Sequence, residues 1–360
     1  MKITAMRTAR VSIPFDPPAG LGKIELRSNG CVLVWLESDQ GAVGEGLCCT
    51  LNGERLGLLE QMVKSFEPLV VGTDPTMSGA LAMRAGAQAR AIGTSGFSIL
   101  ALAAIDNALY DLRGKLLGLN VSRMLGACRT TLPAYHSGDL WVTLSIDELQ
   151  KAASAHLRAG FRAMKLRLRG TIQEDVERVR AIREVVGPDV NLMADLNQRL
   201  TVPEAIRLGR RLEEFNLGWL EEPIAAHDHA GEAEIAAALD TPLASGESVY
   251  GSRGAFDMLR QRSVDVLMPD LQRMGGPTEF LKAAALAEAF NVPVSGHLFP
   301  EMSLALLAAI PNAAILEYMP WVSPVYAQKI ELDASGHAVV PQRAGWGFSF
   351  DPDVVKRFAV

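Results

Sequence analysis

The sequence predicts an α/β protein: a modified (β/α)7β TIM barrel preceded by a small α+β domain. Three observations carry this. From about residue 132, eight apolar strand-like runs alternate with seven helical stretches, the order of a parallel barrel rather than a doubly wound sheet. Three of the runs, VNLMAD, GWLEEP and PLASGE, bring Asp195, Glu221 and Glu247 to their ends, 26 residues apart each time. That spacing is about one strand, one helix and two loops. The first 50 residues read instead as strands joined by turns.

The bulk properties suit such a chain. Its 360 residues exceed one ordinary core and fit a barrel plus a smaller domain. Hydrophobic residues make up 49% and charged residues 21%, enough to bury a large interior. The net charge of −6 argues against nucleic-acid partners, which need a basic face. The most apolar stretch, Ser98 to Tyr110, is broken by Asp106 and Asn107 and so does not read as a membrane span. Cys31, Cys48, Cys49 and Cys128 show no zinc-ligand spacing. They read as reduced thiols, and with no signal-peptide core at the N-terminus they point to a cytoplasmic protein.

Taken in order, ITAMRTARV, GCVLVWLES and AVGEGL are strands, the last two joined by a turn at 38–41. Residues 14–30, rich in Pro and Gly, read as a loop long enough to be a functional flap. Residues 53–71 and 76–92 read as helices. Ser98 to Gly118 is the strongest helix, with Ile99, Leu102, Ile105, Leu109 and Leu112 at helical spacing and Gly118 as its stop. This first domain covers 1–128. The barrel, 129–329, takes strands at 132–136, 163–168, 190–195, 218–223, 242–247, 264–270, 292–297 and 314–318, with no full eighth helix. The segment 330–360 is expected to return to the first domain.

Chemistry collects at the strand ends, where a barrel places its active site. Lys165 and Arg167 face one way along their strand, as do Asp195 and Asn197. Glu221, Glu247, Asp270, His297 and Glu317 follow on later strands. Three converging carboxylates, Asp195, Glu221 and Glu247, make a hard-cation site, most plausibly for Mg2+. A single acid at a strand end is more often a helix cap or surface group, but three in register favour metal. Asp270 beside His297 would orient the imidazole and raise its basicity. Such a set suits removal of a proton next to a carboxylate, because the doubly charged enediolate needs cations where its charge develops. His227 and His229 sit in a polar loop and read as structural. His136 and Ser137, after the first barrel strand, are open between lining the pocket and packing. The role of Glu222 is open. MGGP at 274–277 reads as a turn into a helix.

The segments GFRAMKLRL, MADLNQ, WLEEP, SGES, LMPDLQRMGG, SGHLFPEMS and LEY resemble the mandelate racemase subgroup of the enolase superfamily, over nearly the whole chain. The resemblance implies an N-terminal capping domain on the modified barrel, and Mg2+ on Asp195, Glu221 and Glu247. It implies His297 as general base or acid, assisted by Asp270, as is usual for a superfamily that uses a Lys or His base with Mg2+. Glu317 becomes an electrophilic partner of the substrate carboxylate and Lys165 its neutralising cation. Asn197 becomes a substrate-hydroxyl ligand; Ser137, from its place after the first barrel strand, and Lys23, from its place in the flap, are expected as further substrate-binding groups. Where racemases of the subgroup place a second lysine base, this chain has Arg167, whose guanidinium stays charged. Lys165 would be a second base only if its cationic neighbour lowered its pKa.

The expected activity is therefore dehydration of a sugar acid, an aldonate or aldarate, to a 2-keto-3-deoxy acid. The alternatives are a 2-hydroxy-acid racemase or epimerase, which needs two bases, and a metal-binding barrel without activity. The expected partner is a small-molecule carboxylate, with no nucleic acid, no membrane and, as is common in this superfamily, a homo-oligomer.

Overall fold

The computed structural model describes residues 1–21 and 24–360. Three antiparallel strands open the chain: β1 (Ile3–Leu21), β2 (Ile24–Ser38) and β3 (Val43–Leu51), in the order β1-β2-β3. The stretch 14–30, expected as a loop, is instead a continuation of the β1–β2 ladder. Pro14 pairs with Ser28, and after an irregularity Ala19, Gly20 and Leu21 pair with Leu26, Glu25 and Ile24. β1 is an edge strand, so prolines can sit in it without removing a ladder bond on both sides. The expected flap is thus a long two-stranded hairpin; Lys23 lies outside the described residues.

The helix expected at 53–71 is split into Leu56–Ser65 and Glu67–Val70, with Pro68 opening the second piece. The next runs over Ser78–Ala89. The long helix covers Phe97–Leu117 and ends at Gly118 (φ 66°), whose left-handed conformation lets Leu119 N–H reach the Gly114 carbonyl at 2.9 Å. This helix lies on the sheet. A Cβ on Gly44 would fall 2.2 Å from the Ala108 carbonyl oxygen, and one on Gly46 2.3 Å from that of Ala104. Glycine on one face of β3 therefore sets how closely helix and sheet approach.

The barrel strands are β4 (Thr131–His136), β5 (Ala163–Arg167), β6 (Asn191–Asp195), β7 (Leu220–Glu221), β8 (Leu243–Ser245), β9 (Val266–Leu267) and β10 (Leu316–Tyr318). They pair in parallel, with β10 beside β4. The run at 292–297 forms bridges rather than a strand: Val294 pairs with Leu267 on one side and Ala313 on the other, closing the ring. Pro293 in that run has no N–H for the ladder, though its carbonyl accepts from Leu267 at 3.0 Å. The helices between successive strands end with Pro300–Ala309. Several begin with the expected caps; Ser145–Glu148 and Thr171–Glu174 form reciprocal capping boxes. After β10 only a short 3-10 turn at Ser323–Val325 follows, so no eighth barrel helix is present among the described residues.

Period-two alternation stacks the barrel interior in layers. Tyr135, Ala163, Met193, Trp219 and Met268 form a buried apolar layer. Lys165, Asp195 and Glu221, each two residues further along its strand, form a buried polar layer above it. The tail touches both halves: β11 (His337–Val339) pairs with β4, Trp346 N–H donates to Asp111, and Val360 N–H donates to the Arg10 carbonyl. No described helix is long and apolar enough to cross a membrane.

Candidate active site

A cavity of about 200 Å3 sits between the barrel mouth and the rim of β3. Lys165, Arg167, Asp195, Asn197, Glu247, Asp270 and His297 line it. Glu221 and Glu317 lie buried at its floor against Lys165. A larger hollow of about 370 Å3 on the flank is lined largely by apolar residues such as Leu81, Ile99 and Leu109. It gathers none of these groups, so its size is no reason to place chemistry there.

Asp195 and Glu221 are direct partners across β6 and β7; Glu247 follows two residues beyond β8. Lys165 Nζ contacts Glu221, Glu317 at 3.1 Å and Asp195 at 3.6 Å. Trp219 Nε1 donates to the other Glu221 oxygen at 3.0 Å. One ammonium thus faces three buried carboxylates. Burial works against the Lys165 charge, but Glu221, Glu317 and Asp195 outweigh it, and its pKa moves up. That direction is opposite to the lowering that a second base at Lys165 requires.

Burial pushes the Glu221 carboxyl up, with Lys165 pulling against it and Asp195, Glu317 and Glu247 adding to the rise. Burial, Glu247 and the other acids push Glu222 up to about 9. One Glu222 oxygen accepts from Gln198 at 2.7 Å, and the other is buried without a partner. These features suit a bound cation: buried hard oxygen donors converge, burial and the neighbouring acids favour the protonated forms of Glu221 and Glu222, and among the described residues one Glu222 oxygen has no hydrogen-bond partner. The donor set suits Mg2+, with Asp195, Glu221 and Glu247 as its holders.

Asn197 (φ 43°) donates its backbone N–H to Asp195 Oδ1 at 2.9 Å and its amide to Oδ2 at 3.1 Å. It fixes the orientation of Asp195 as well as lining the cavity. Gln198, Glu222, Leu298 and Phe299 also have positive φ. Left-handed non-glycine residues cost strain, and here they gather at the strand ends that form the mouth.

His297 Nδ1 lies 2.8 Å from Asp270 Oδ2, and its Nε2 lies 3.2 Å from Glu247. The other Asp270 oxygen accepts from Arg273 N–H at 2.8 Å and caps the turn Leu271–Met274. Burial lowers the His297 pKa, but Glu247 and Asp270 raise it further, to about 9. Glu317 accepts from Leu298 N–H at 2.6 Å. Burial raises it, while Lys165, His297 and that N–H pull it well below the usual carboxylate range. An electrophilic acid role for Glu317 needs the opposite direction, which a substrate carboxylate arriving beside it would favour.

Arg167 is held from behind. Its Nη1 donates to the Ser137 carbonyl at 2.7 Å and Nη2 approaches the Ser137 hydroxyl at 3.4 Å. Its guanidinium lies over Trp141 at 4.2 Å. Ser137, expected at the substrate, is fully buried behind Arg167 and does not line the cavity. The adjacent His136 stacks on His156 at 3.7 Å with planes 20° apart. His136, Asp139 and His156 come close enough to suggest a metal site, but stacked imidazoles aim their lone pairs in parallel rather than at one point. His229 is engaged with Glu232 and the Ser263 hydroxyl, away from the cavity.

The cavity also takes residues that strand-end reasoning missed: Cys49 and Leu51 from β3, Gln272, Arg273, Leu298, Met319 and Trp321. Gln272 and Arg273 lie just past Asp270, so reading three residues beyond the end of that run finds them. Cys49 and Leu51 carry no local signal. Cys49, with its thiol pushed up to about 12 by burial, is fixed there by its N–H bond to Gln272.

A closed parallel barrel with a hard-cation set, a carboxylate–imidazole dyad and a buried ammonium at its C-terminal mouth defines an enzyme class that labilises a C–H bond beside a carboxylate. Residues 148–354 match the enolase C-terminal domain-like family model, and residues 3–126 that of the mandelate racemase / muconate lactonizing enzyme N-terminal domain. The chain belongs to the mandelate racemase/muconate lactonizing enzyme family of the enolase superfamily. It is 31% identical to the L-talarate/galactarate dehydratase of Salmonella typhimurium, over 88% of this chain and 80% of that protein. It is 32% identical to the D-galactarolactone cycloisomerase of Agrobacterium fabrum, over 99% of each. The L-talarate dehydratase from Polaromonas sp. JS666, solved with Mg and L-glucarate, superposes with a TM-score of 0.92 at 32% identity, covering 100% of this chain and 97% of that one.

Proposed function

We propose that the protein is a Mg2+-dependent sugar-acid dehydratase, taking an aldonate or aldarate to a 2-keto-3-deoxy acid. The observation that carries this is the asymmetry of the two faces of the cavity. His297, oriented by Asp270, is placed to accept a proton in its neutral form, which a cation on Glu247 would favour by offsetting the charge that raises its pKa. Arg167 is a guanidinium anchored on Ser137 and Trp141, and guanidinium does not give up its proton in proteins. A two-base racemase needs an acceptor on each face; a dehydratase needs one.

Asp195, Glu221 and Glu247 would hold Mg2+, which would supply positive charge for the substrate carboxylate beside the carbon that loses its proton. Lys165 contributes a fixed ammonium on the same side, kept charged by its three carboxylates. His297 accepts the C2 proton through Nε2. The hydroxyl on C3 leaves with that proton as water, and the resulting enol becomes the keto acid by taking a proton at C3 and giving up the proton of its C2 hydroxyl to solvent. Arg167 offers hydrogen bonds to a substrate oxygen on the opposite face.

The same proton abstraction with a ring oxygen as leaving group is cycloisomerisation, the activity of the Agrobacterium relative whose full length this chain spans. Sugar-acid lactones therefore belong in the same test. A panel of aldonates, aldarates and their lactones with Mg2+ is assayed for 2-keto acids. Turnover of at least one member is expected, with deuterium from D2O entering at C3. Metal binding with no turnover of any member would leave the barrel as a binding protein, and exchange at C2 from both enantiomers would make it a racemase.

A further inference from the structure

The catalytic face and the capping hairpin are joined by a run of stacked rings. The Arg167 guanidinium rests on Trp141. Trp141 stacks on Trp321, with centroids 6.1 Å apart and planes 15° apart. Trp321 in turn meets Phe15 of β1 at 5.3 Å. Ala19 and Leu26 of the hairpin close the same apolar cluster over Trp141 and Met319. The fit is close: a Cβ on Gly20 would lie 2.6 Å from the Thr143 methyl.

Arg167 depends on this stack. Among the described residues its in-plane hydrogen bonds go to Ser137 alone, and its buried Nε makes no hydrogen bond, standing 3.7 Å from Asp195. Rotation of the guanidinium about its bond to Ser137 is limited by the indole against its face, since a cation over a ring is held by electrostatics and by shape. The position of Trp141 is limited by Trp321, and Trp321 is clamped between Trp141 and Phe15.

We propose that Trp321 is a positioning residue that transmits the docking of the β1–β2 hairpin, through Trp141, to Arg167. The seated cap then sets the catalytic face as well as covering it. This rests on the reading of Arg167 as a group that meets the substrate, but the linkage itself is testable without turnover.

Arg167 is probed with phenylglyoxal and its modification followed by peptide mass spectrometry, in the unaltered protein and in Trp321→Ala, Trp321→Phe and Phe15→Ala. The rate is expected to rise about tenfold in Trp321→Ala and Phe15→Ala and to return towards the original in Trp321→Phe. Equal rates in all four proteins would overturn the proposal, as would a rise in Trp321→Ala with none in Phe15→Ala, which would mean that the hairpin is not part of the linkage. If near-UV circular dichroism shows that Trp321→Ala is unfolded, Phe15→Ala and Trp321→Phe decide alone. With an active substrate, kcat should fall more than KM rises, and Trp321→Ala should cost nothing further in an Arg167→Lys background; additive losses would sink the coupling. A protein that turns over no sugar acid while showing the modification pattern would lose the proposed function and keep the linkage.

Discussion

At the residue scale the site is a matter of charges placed where water cannot screen them. His297→Asn should lower turnover about 10²- to 10⁴-fold, the usual worth of a positioned base. It should leave Mg2+ affinity by calorimetry nearly unchanged, because asparagine keeps a polar group beside Glu247 without being a metal-holding carboxylate. Retained turnover would show that another group accepts the proton. The groups at the ends of barrel strands were legible in the sequence because strand alternation and the 26-residue spacing place them at one mouth. Ser137 was misread for a physical reason. Its position after a strand says where its backbone is, but not that Arg167 takes the Ser137 carbonyl as its acceptor and covers the residue from the cavity. Leu51, Met319 and Trp321 were illegible because apolar residues beside a cavity look like core in a sequence.

At the element scale, close approach and burial set the terms. Gly46→Ala would press a methyl against the Ala104 carbonyl and the Ala108 N–H, 2.3 and 2.5 Å away. Overpacking of this kind costs about 1–3 kcal/mol, and the urea midpoint should fall accordingly; an unchanged midpoint would mean that the long helix can slide on the sheet. The His136–His156 stack at the end of β4 gives a pH prediction. Burial, with His156 next, lowers His136 from 6.5 to about 3, and His156 is lowered too. The folded state therefore binds fewer protons than the unfolded one below pH 6.5. The stability from this pair is complete above 6.5 and is lost as pH falls from there towards 3, by at most about 5 kcal/mol for His136 at about 1.4 kcal/mol per pKa unit. His136→Gln should flatten the acid side of a melting-temperature profile between pH 6.5 and 4, and an unaltered slope would refute the assignment. The helices and barrel strands were read well because their periodicity is local. The hairpin is not legible because Pro and Gly signal a loop in a sequence, whereas an edge strand tolerates both once a partner strand lies on one side.

At the scale of the whole molecule, cap and barrel enclose a cavity at and around which acids outnumber cations. Asp195, Glu221, Glu222, Glu247, Asp270 and Glu317 face Lys165, Arg167, Arg273 and His297. Without a metal, this surplus is held against its own repulsion, and the stability of the fold is reduced by that amount. A ligand that binds only the folded state adds RT ln(1 + [L]/Kd), about 2.7 kcal/mol at a hundredfold excess over Kd. Mg2+ should therefore raise the melting temperature by several degrees, and chelation should reverse the rise. The sign of a single substitution then separates a metal site from a structural ion-pair network. If Glu221 served mainly to satisfy Lys165, Glu221→Gln would destabilise the metal-free protein, because a buried ammonium would lose a partner. Lys165 retains Glu317 and Asp195, however, so removing one negative charge relieves more repulsion than it forfeits in attraction. Glu221→Gln is accordingly expected to melt higher than the unaltered protein in EDTA, and to gain less from Mg2+ because a hard donor is gone. Thermal melts of both proteins with and without Mg2+ check this. A lower melting temperature in EDTA, or an undiminished response to Mg2+, would show that Glu221 is part of the scaffold rather than a holder of the ion.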